Sequence, residues 1–158
     1  MNIKIEQLND SEESFNKLLP YLYEVDELFH IPLRKQGRIE DSAKKWLTKA
    51  IVLIAIDVDA DRICGSMIAY ANDRENHYAF TAIKVVSEAY QRKGIMKLLR
   101  VKMCCLAKEA GMTVLRGNIH EANTASINDI LQAGGKQIGY IDDKDNINYG
   151  DMLFEMQL

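Results

Sequence analysis

Proline and cysteine are scarce in this chain: there are two prolines among 158 residues, and the three cysteines, Cys64, Cys104 and Cys105, contain no Cys-x-x-Cys pair. Without such a pair, or a histidine at matching spacing, no metal site is expected, and a chain of this size does not depend on a disulfide framework. All three thiols read as small buried or half-buried hydrophobes. No apolar run approaches the roughly 20 residues that a spanning helix requires, so no membrane partner is expected. The opening residues Met1 to Gln7 alternate like a strand and lack the apolar stretch of a secretory signal, which makes the cytoplasm the expected location. A net charge of −3 argues against nucleic acid as a partner. Two nucleotide signatures are also missing. No Gly-x-Gly-x-x-Gly follows the first strand-like segment, and no Gly-x-x-x-x-Gly-Lys-[Ser/Thr] occurs anywhere.

What is present is an ordinary globular composition, 47% hydrophobic and 27% charged, without repeats, low-complexity segments or linkers. The expectation is one domain over residues 1–158 with one sizeable core. Asn2 to Leu8 reads as a strand. Asp10 or Ser11 caps a helix whose stripe is Phe15, Leu18, Leu19 and Leu22, and Pro20 is expected to kink it or restart it as a second short helix through Phe29. After a polar connection from Arg34 to Glu40, a helix is expected over Asp41 to Ala50. Strands follow at Ile51–Val58, Arg62–Ala71 and His77–Val86, joined by turns rich in Asp and Asn and most simply antiparallel. A helix from Gly94 to Gly111 carries Ile95, Leu98, Leu99, Met103, Leu106 and Ala110. Met112–Ile119 is a strand, and Asn123 caps a helix with Ile127, Ile130 and Leu131 inward, ending at Gly134-Gly135. Lys136–Ile141 and Tyr149–Leu158 close the chain as a hairpin. The class is α+β, a mostly antiparallel sheet of about seven strands with about four helices. The hairpins in the middle exclude a doubly wound nucleotide fold.

The segment Gln91-Arg92-Lys93-Gly94-Ile95-Met96-Lys97 turns a strand into a helix. The first amides of a helix have no partner inside it, and the peptide dipoles make that end partly positive. With Arg92, Lys93 and Lys97 around it, and Gly94 admitting close backbone approach, the turn suits a phosphate or pyrophosphate. An ordinary surface turn with solvated charges has the same composition.

In its order of elements the chain resembles the GNAT-type N-acetyltransferase superfamily. That family's signature [Gln/Arg]-x-x-Gly-x-[Gly/Ala], with its Val-x-Pro-x-Tyr-like approach, falls on Val86 to Met96, where Val86, Tyr90, Gln91 and Gly94 match. Glu88 stands where proline is common, and Met96 replaces the last small residue; its side chain either enters the core beside Leu99 or narrows the phosphate seat. A second signature, Asn-x-x-[Ala/Ser], falls on Asn123 to Ser126. The resemblance implies acetyl-CoA or another acyl-CoA as cofactor. It implies that Gln91, Arg92, Lys93, Gly94, Ile95, Met96 and Lys97 hold the pyrophosphate, and that Val86, Ser87 and Glu88 lie along the pantetheine arm. Asn123, with Ser126 behind it, would contact the pantetheine or a water.

The resemblance also implies transfer of the acyl group to a small-molecule or peptide amine by direct attack, with a homodimer as a possible assembly. Yet the position where the family often has a glutamate base holds Phe80. The position of its tyrosine acid holds Ile130, and its following phenylalanine is Gly135. Substitutes for base and acid are His120, at the end of the fifth strand, since an unperturbed imidazole can accept a proton at neutral pH, and Tyr140. Their plain readings are a loop histidine bonded to backbone and a half-buried strand tyrosine. Glu75 and His77 read as turn residues. Asp26, Glu27 and His30 end the N-terminal helices, a region that borders the acceptor site in the family and whose acidic character would attract a cationic amine, although acidic helix surfaces are commonplace. The alternative function is a CoA-binding or sensing module of the same fold without turnover.

Overall fold

The computed structural model describes residues 1–158. Its strands are β1 (Ile3–Leu8), β2 (Ile51–Asp57), β3 (Arg62–Tyr70), β4 (Tyr78–Val86), β5 (Val114–His120), β6 (Lys136–Tyr140) and β7 (Asp151–Gln157). Its α-helices are α1 (Glu12–Val25), α2 (Ile39–Lys49), α3 (Ile95–Glu109) and α4 (Thr124–Gln132). The seven strands form one open sheet in the order β1-β2-β3-β4-β5-β7-β6. Every neighbouring pair is antiparallel except β4 and β5. The α+β class and the three antiparallel strands β2, β3 and β4 agree with the sequence reading. No helix is long and apolar enough to cross a membrane.

Period-two alternation sends the two faces of the central strands to two apolar layers. On one side Val52, Ile54, Ile68 and Ile83 pack with Leu18 and Leu22 of α1 and with Trp46 and Leu47 of α2. On the other, Leu53, Ala55, Met67 and Ala79 meet Ile95, Leu99 and Met103 of α3 and Ile130 of α4. A fully buried leucine such as Leu22 or Leu99 contributes about 2 kcal/mol.

Two boundaries and the exposure of three side chains depart from the sequence expectation. Helix α1 runs unbroken through Pro20 and ends in a short 3-10 turn at Asp26–Leu28 instead of a second helix. Pro20 and Asn16 lie on the exposed side, so the carbonyl that lost its donor faces water, while the buried stripe Leu18, Leu22 and Val25 continues. Helix α2 starts earlier, at Ile39, because that side chain belongs to the core. Leu98 and Leu131, expected inward, are 47% and 48% exposed, and Cys105 is exposed as well.

What positions the site is the irregularity of β4. Thr81 pairs with Ala69 and Ile83 with Ile68, so Ala82 is an extra residue that bends the strand. Parallel pairing with β5 covers only Tyr78↔Val114, Ala79↔Leu115 and Phe80↔Arg116. Past that neck the strands part. Gly117 sits at the neck, where a Cβ would lie 3.3 Å from the Cβ of Thr81, so the missing side chain lets the strands stay close there.

Candidate active site

The wide end of the opening lies between Val86 and His120, and the turn from Gln91 to Lys97 stands at its mouth. Arg92 has φ 63° and Gly94 has φ 79°, so left-handed residues bracket Lys93. The first amide of α3 with a partner is that of Leu98, which donates to the Gly94 carbonyl at 3.2 Å. The N–H groups of Arg92, Lys93, Gly94, Ile95, Met96 and Lys97 meet no acceptor in the protein. Successive amides freed by such left-handed geometry form a concave anion seat, here at the positive end of a helix. Arg92, Lys93 and Lys97 are exposed around it. These residues therefore fit a pyrophosphate by an observation independent of any motif: a row of unpaired donors.

The turn is braced from behind. The Tyr90 hydroxyl donates to Asp57 Oδ2 at 2.8 Å, which ties it to the end of β2 and holds the Asp57 carboxyl below its ordinary pKa. Lys93 and Arg62 place their cations 5.5 and 5.9 Å from the Tyr90 ring. Gln91 donates from Nε2 to the Val86 carbonyl at 3.2 Å and from its backbone to the Glu88 carbonyl at 3.3 Å. Its side chain thus closes the turn.

Other expected contacts fall differently. Ser87 is buried, donates its hydroxyl to Tyr21 Oη at 3.2 Å and its N–H to the Cys64 carbonyl at 2.9 Å, so it faces α1 instead of the opening. Glu88 is exposed at the start of a 3-10 turn. Val86 packs against the layer that holds α3. Met96 is half-buried and lines the gap between β4 and β5, which resolves its two readings in favour of the interior. Asn123 accepts the Ser126 N–H on Oδ1 at 3.2 Å and so caps α4, leaving its Nδ2 free.

Beneath the cradle the gap encloses a cavity of about 30 Å³, room for a water molecule. Its lining is unexpectedly basic: Lys84 from β4, Arg100 from α3 and Arg116 from β5, beside Met96, Ile130 and Phe154. Arg100 pairs with Asp129 of α4. Arg116 pairs with Glu155 at 2.8 Å and lies over the Tyr78 ring at 4.7 Å. Lys84 has neither an ion-pair nor a hydrogen-bond partner, and burial pushes its pKa below the ordinary lysine value; Asp129 opposes that shift and Arg100 adds to it. Sequence reasoning missed this cluster. The available signal was an ionisable residue inside the apolar run Ala82–Val86.

On the α1–α2 side of the same mouth, His120 stacks on His30 with ring centroids 3.6 Å apart. His120 accepts the Ala122 N–H on Nδ1 at 3.1 Å, so its neutral ring carries the proton on Nε2. Asp151, the sheet partner of His120, has its carboxyl pKa raised by burial, against the lowering pull of His120 and His30. Tyr140 lies on the edge strand β6 and donates to Glu121 Oε2 at 2.9 Å, which pushes its pKa up to about 12. That leaves it a poor acid, one strand removed from the gap. Asp26 is also committed: it accepts the Leu33 N–H at 2.6 Å and pairs with Arg34 at 2.8 Å. Glu27 pairs with the same arginine. Phe80 is 37% exposed, and Ile130 is buried against the gap.

A family model described as Acetyltransferase (GNAT) family matches residues 15–134. No curated protein matches the chain in sequence. Among solved structures, an acetyltransferase of the GNAT family from Streptococcus pneumoniae superposes with a TM-score of 0.79 at 18% identity, covering 99% of each chain. One from Staphylococcus aureus Mu50 gives 0.77 at 15% identity, again covering 99% of both chains. A Bacillus anthracis acetyltransferase in complex with acetyl coenzyme A gives 0.61 at 20% identity, over 70% of this chain and 63% of its own. At these identities the likeness to solved structures is one of fold.

Proposed function

The chain belongs to the GNAT acetyltransferase family, and on that premise we propose that it transfers an acetyl or other acyl group from acyl-CoA to an amine by direct attack. The observation that carries the reading is the row of unpaired amides from Arg92 to Lys97 at the mouth of the β4–β5 opening. Bound there, acyl-CoA supplies an acyl group already activated as a thioester.

The chain's own part is holding, orienting and polarising. The amides from Arg92 to Lys97, with the cations of Arg92, Lys93 and Lys97, take the pyrophosphate, and Gly94 provides the left-handed backbone that aims them. Val86 and Glu88 flank the pantetheine path, Gln91 keeps the turn closed, and Asn123 offers its free Nδ2. Past Phe80 the β5-facing edge of β4 has no strand partner, so an N–H there can polarise the acyl carbonyl as oxyanion-hole donors do. Fixing both reactants contributes most of the rate. His120, with His30 and Asp151 beside it, lines the side from which an amine, free or at the end of a peptide, would approach. To accept its proton on Nδ1, His120 has to release the Ala122 N–H.

Incubation with acetyl-CoA and a broad panel of amines, followed through release of the CoA thiol, tests this reading. Amine-dependent thiol release supports it. The apolar Phe80 and Ile130, and the engagement of Tyr140 with Glu121, favour a second reading as a CoA-binding module without turnover. That reading predicts a CoA-dependent melting shift and a flat thiol signal with every amine.

A further inference from the structure

The three cations around the β4–β5 gap differ in one respect. Arg100 and Arg116 each form an ion pair, with Asp129 and Glu155, whereas Lys84 is half-buried on the same cavity and pairs with no carboxylate. Shielding an ammonium from much of its water without pairing it is unfavourable. A neutral side chain such as methionine, already present at Met67 and Met96 on the same lining, would fill the space without that cost. Such a group makes sense where a negative charge develops transiently beside it. Lys84 lies two residues before Val86 on the face of β4 that lines the opening, and shares its cavity with Ile130 of α4, where no acid is available.

Building on the acyl-CoA reading, we propose that Lys84 meets the departing sulfur of CoA, holding it as thiolate and then returning a proton to it. As the acceptor nitrogen forms its bond to the acyl carbon, the carbon–sulfur bond breaks and its electron pair leaves on sulfur. The Lys84 ammonium passes one proton to that sulfur. The acceptor nitrogen gives up its own surplus proton to His120, which passes it to water, and Lys84 is reprotonated from solvent, so protons and electrons balance. An arginine is too weak an acid for this exchange, whereas a lysine partly shielded from water moves down toward the range of a thiol, about 8.5 for an ordinary cysteine. The charged groups that act on Lys84 are Asp129 on α4 and Arg100 on α3, and Arg116 on β5 lines the same cavity; β3 presents Met67 and β7 Phe154.

The test needs no acceptor. The thiol of CoA bound to the wild-type protein, to Lys84→Met and to Lys84→Arg is titrated through the ultraviolet absorbance of its thiolate. Desulfo-CoA, which has no sulfur, is bound to the same proteins by calorimetry. In the wild type the bound thiol is expected to titrate about one pH unit or more below free CoA. In Lys84→Met it returns to the free value or above, and in Lys84→Arg it stays low. Desulfo-CoA binds the wild type and Lys84→Met equally, and Lys84→Met melts no lower than the wild type because a partly desolvated, unpaired charge has been removed. A bound thiol that titrates alike in the wild type and Lys84→Met overturns the inference while leaving the acyl-CoA reading intact. Failure of both CoA and desulfo-CoA to bind the wild type overturns that reading, and the inference with it.

Discussion

His30 and His120 lie face to face, with ring centroids 3.6 Å apart and planes inclined by 18°, although 90 residues of chain separate them. One comes from the segment between α1 and α2 and the other from the end of β5, so the stack fixes that segment over the mouth of the strand opening. If the pair borders the acceptor, His30→Ala and His120→Ala leave CoA affinity unchanged and lower turnover. For His120→Ala the loss is about a hundredfold, the scale of a missing proton acceptor. Calorimetry with CoA, alongside kcat for an identified amine, separates the two effects.

Tyr90→Phe removes the hydroxyl that ties the phosphate turn to Asp57. The variant is expected to bind CoA more weakly and to melt below the wild type at neutral pH. The sign of its pH dependence follows from the depressed pKa of Asp57. The contribution is fully present above the ordinary value of 3.8 and is lost as pH falls through the lower folded-state value. Melting curves of the two proteins should therefore differ at pH 7 and converge on acidification below that ordinary value.

Gly94 combines a positive φ of 79° with open space where a side chain would project. Gly94→Ala then costs only the left-handed strain, about 1 kcal/mol. Gly94→Asp adds a carboxylate facing the amide row, and it is expected to abolish the melting shift that CoA produces in the wild type. Differential scanning fluorimetry with and without CoA checks both.

At Gly135 the constraint is room. A Cβ there would lie 2.8 Å from the Ile130 carbonyl oxygen and 2.8 Å from Ile130 Cγ1. Gly135→Ala is expected to destabilise by about 2 kcal/mol, within the range for overpacking, because a backbone atom cannot step aside. Chemical denaturation measures this directly. The same contact explains why no aromatic side chain follows Gly134 in this chain.

The element order and the cradle were legible in the sequence because each depends on neighbours in the chain. Gln91, Gly94 and the basic residues lie within one turn, and Gly94 marks a left-handed φ that few residues adopt. The strand opening was anticipated only through the family resemblance, since the loss of pairing past Phe80 depends on the Ala82 bulge. The charged gap was not legible. Lys84, Arg100, Arg116 and Asp129 come from four elements, and only the closure of β5 beside β4 brings them together. His120 was singled out without the partner that gives it meaning, His30. Helical spacing alone misassigned Leu98 and Leu131, because it marks a stripe without showing how much of it the neighbouring layer covers. Ser87 was misassigned for a related reason: its hydroxyl turns toward Tyr21 on the opposite face of the sheet.

The most direct test of the central claim, that the Arg92–Lys97 amides form a pyrophosphate seat, is an amide-resolved NMR titration of the ¹⁵N-labelled protein with CoA. Saturable shifts of the Arg92 to Lys97 resonances, with slowed hydrogen exchange at those amides and none at the exposed β3–β4 turn at the far end of the sheet, are predicted. Binding of CoA that leaves those six resonances unmoved would contradict the account.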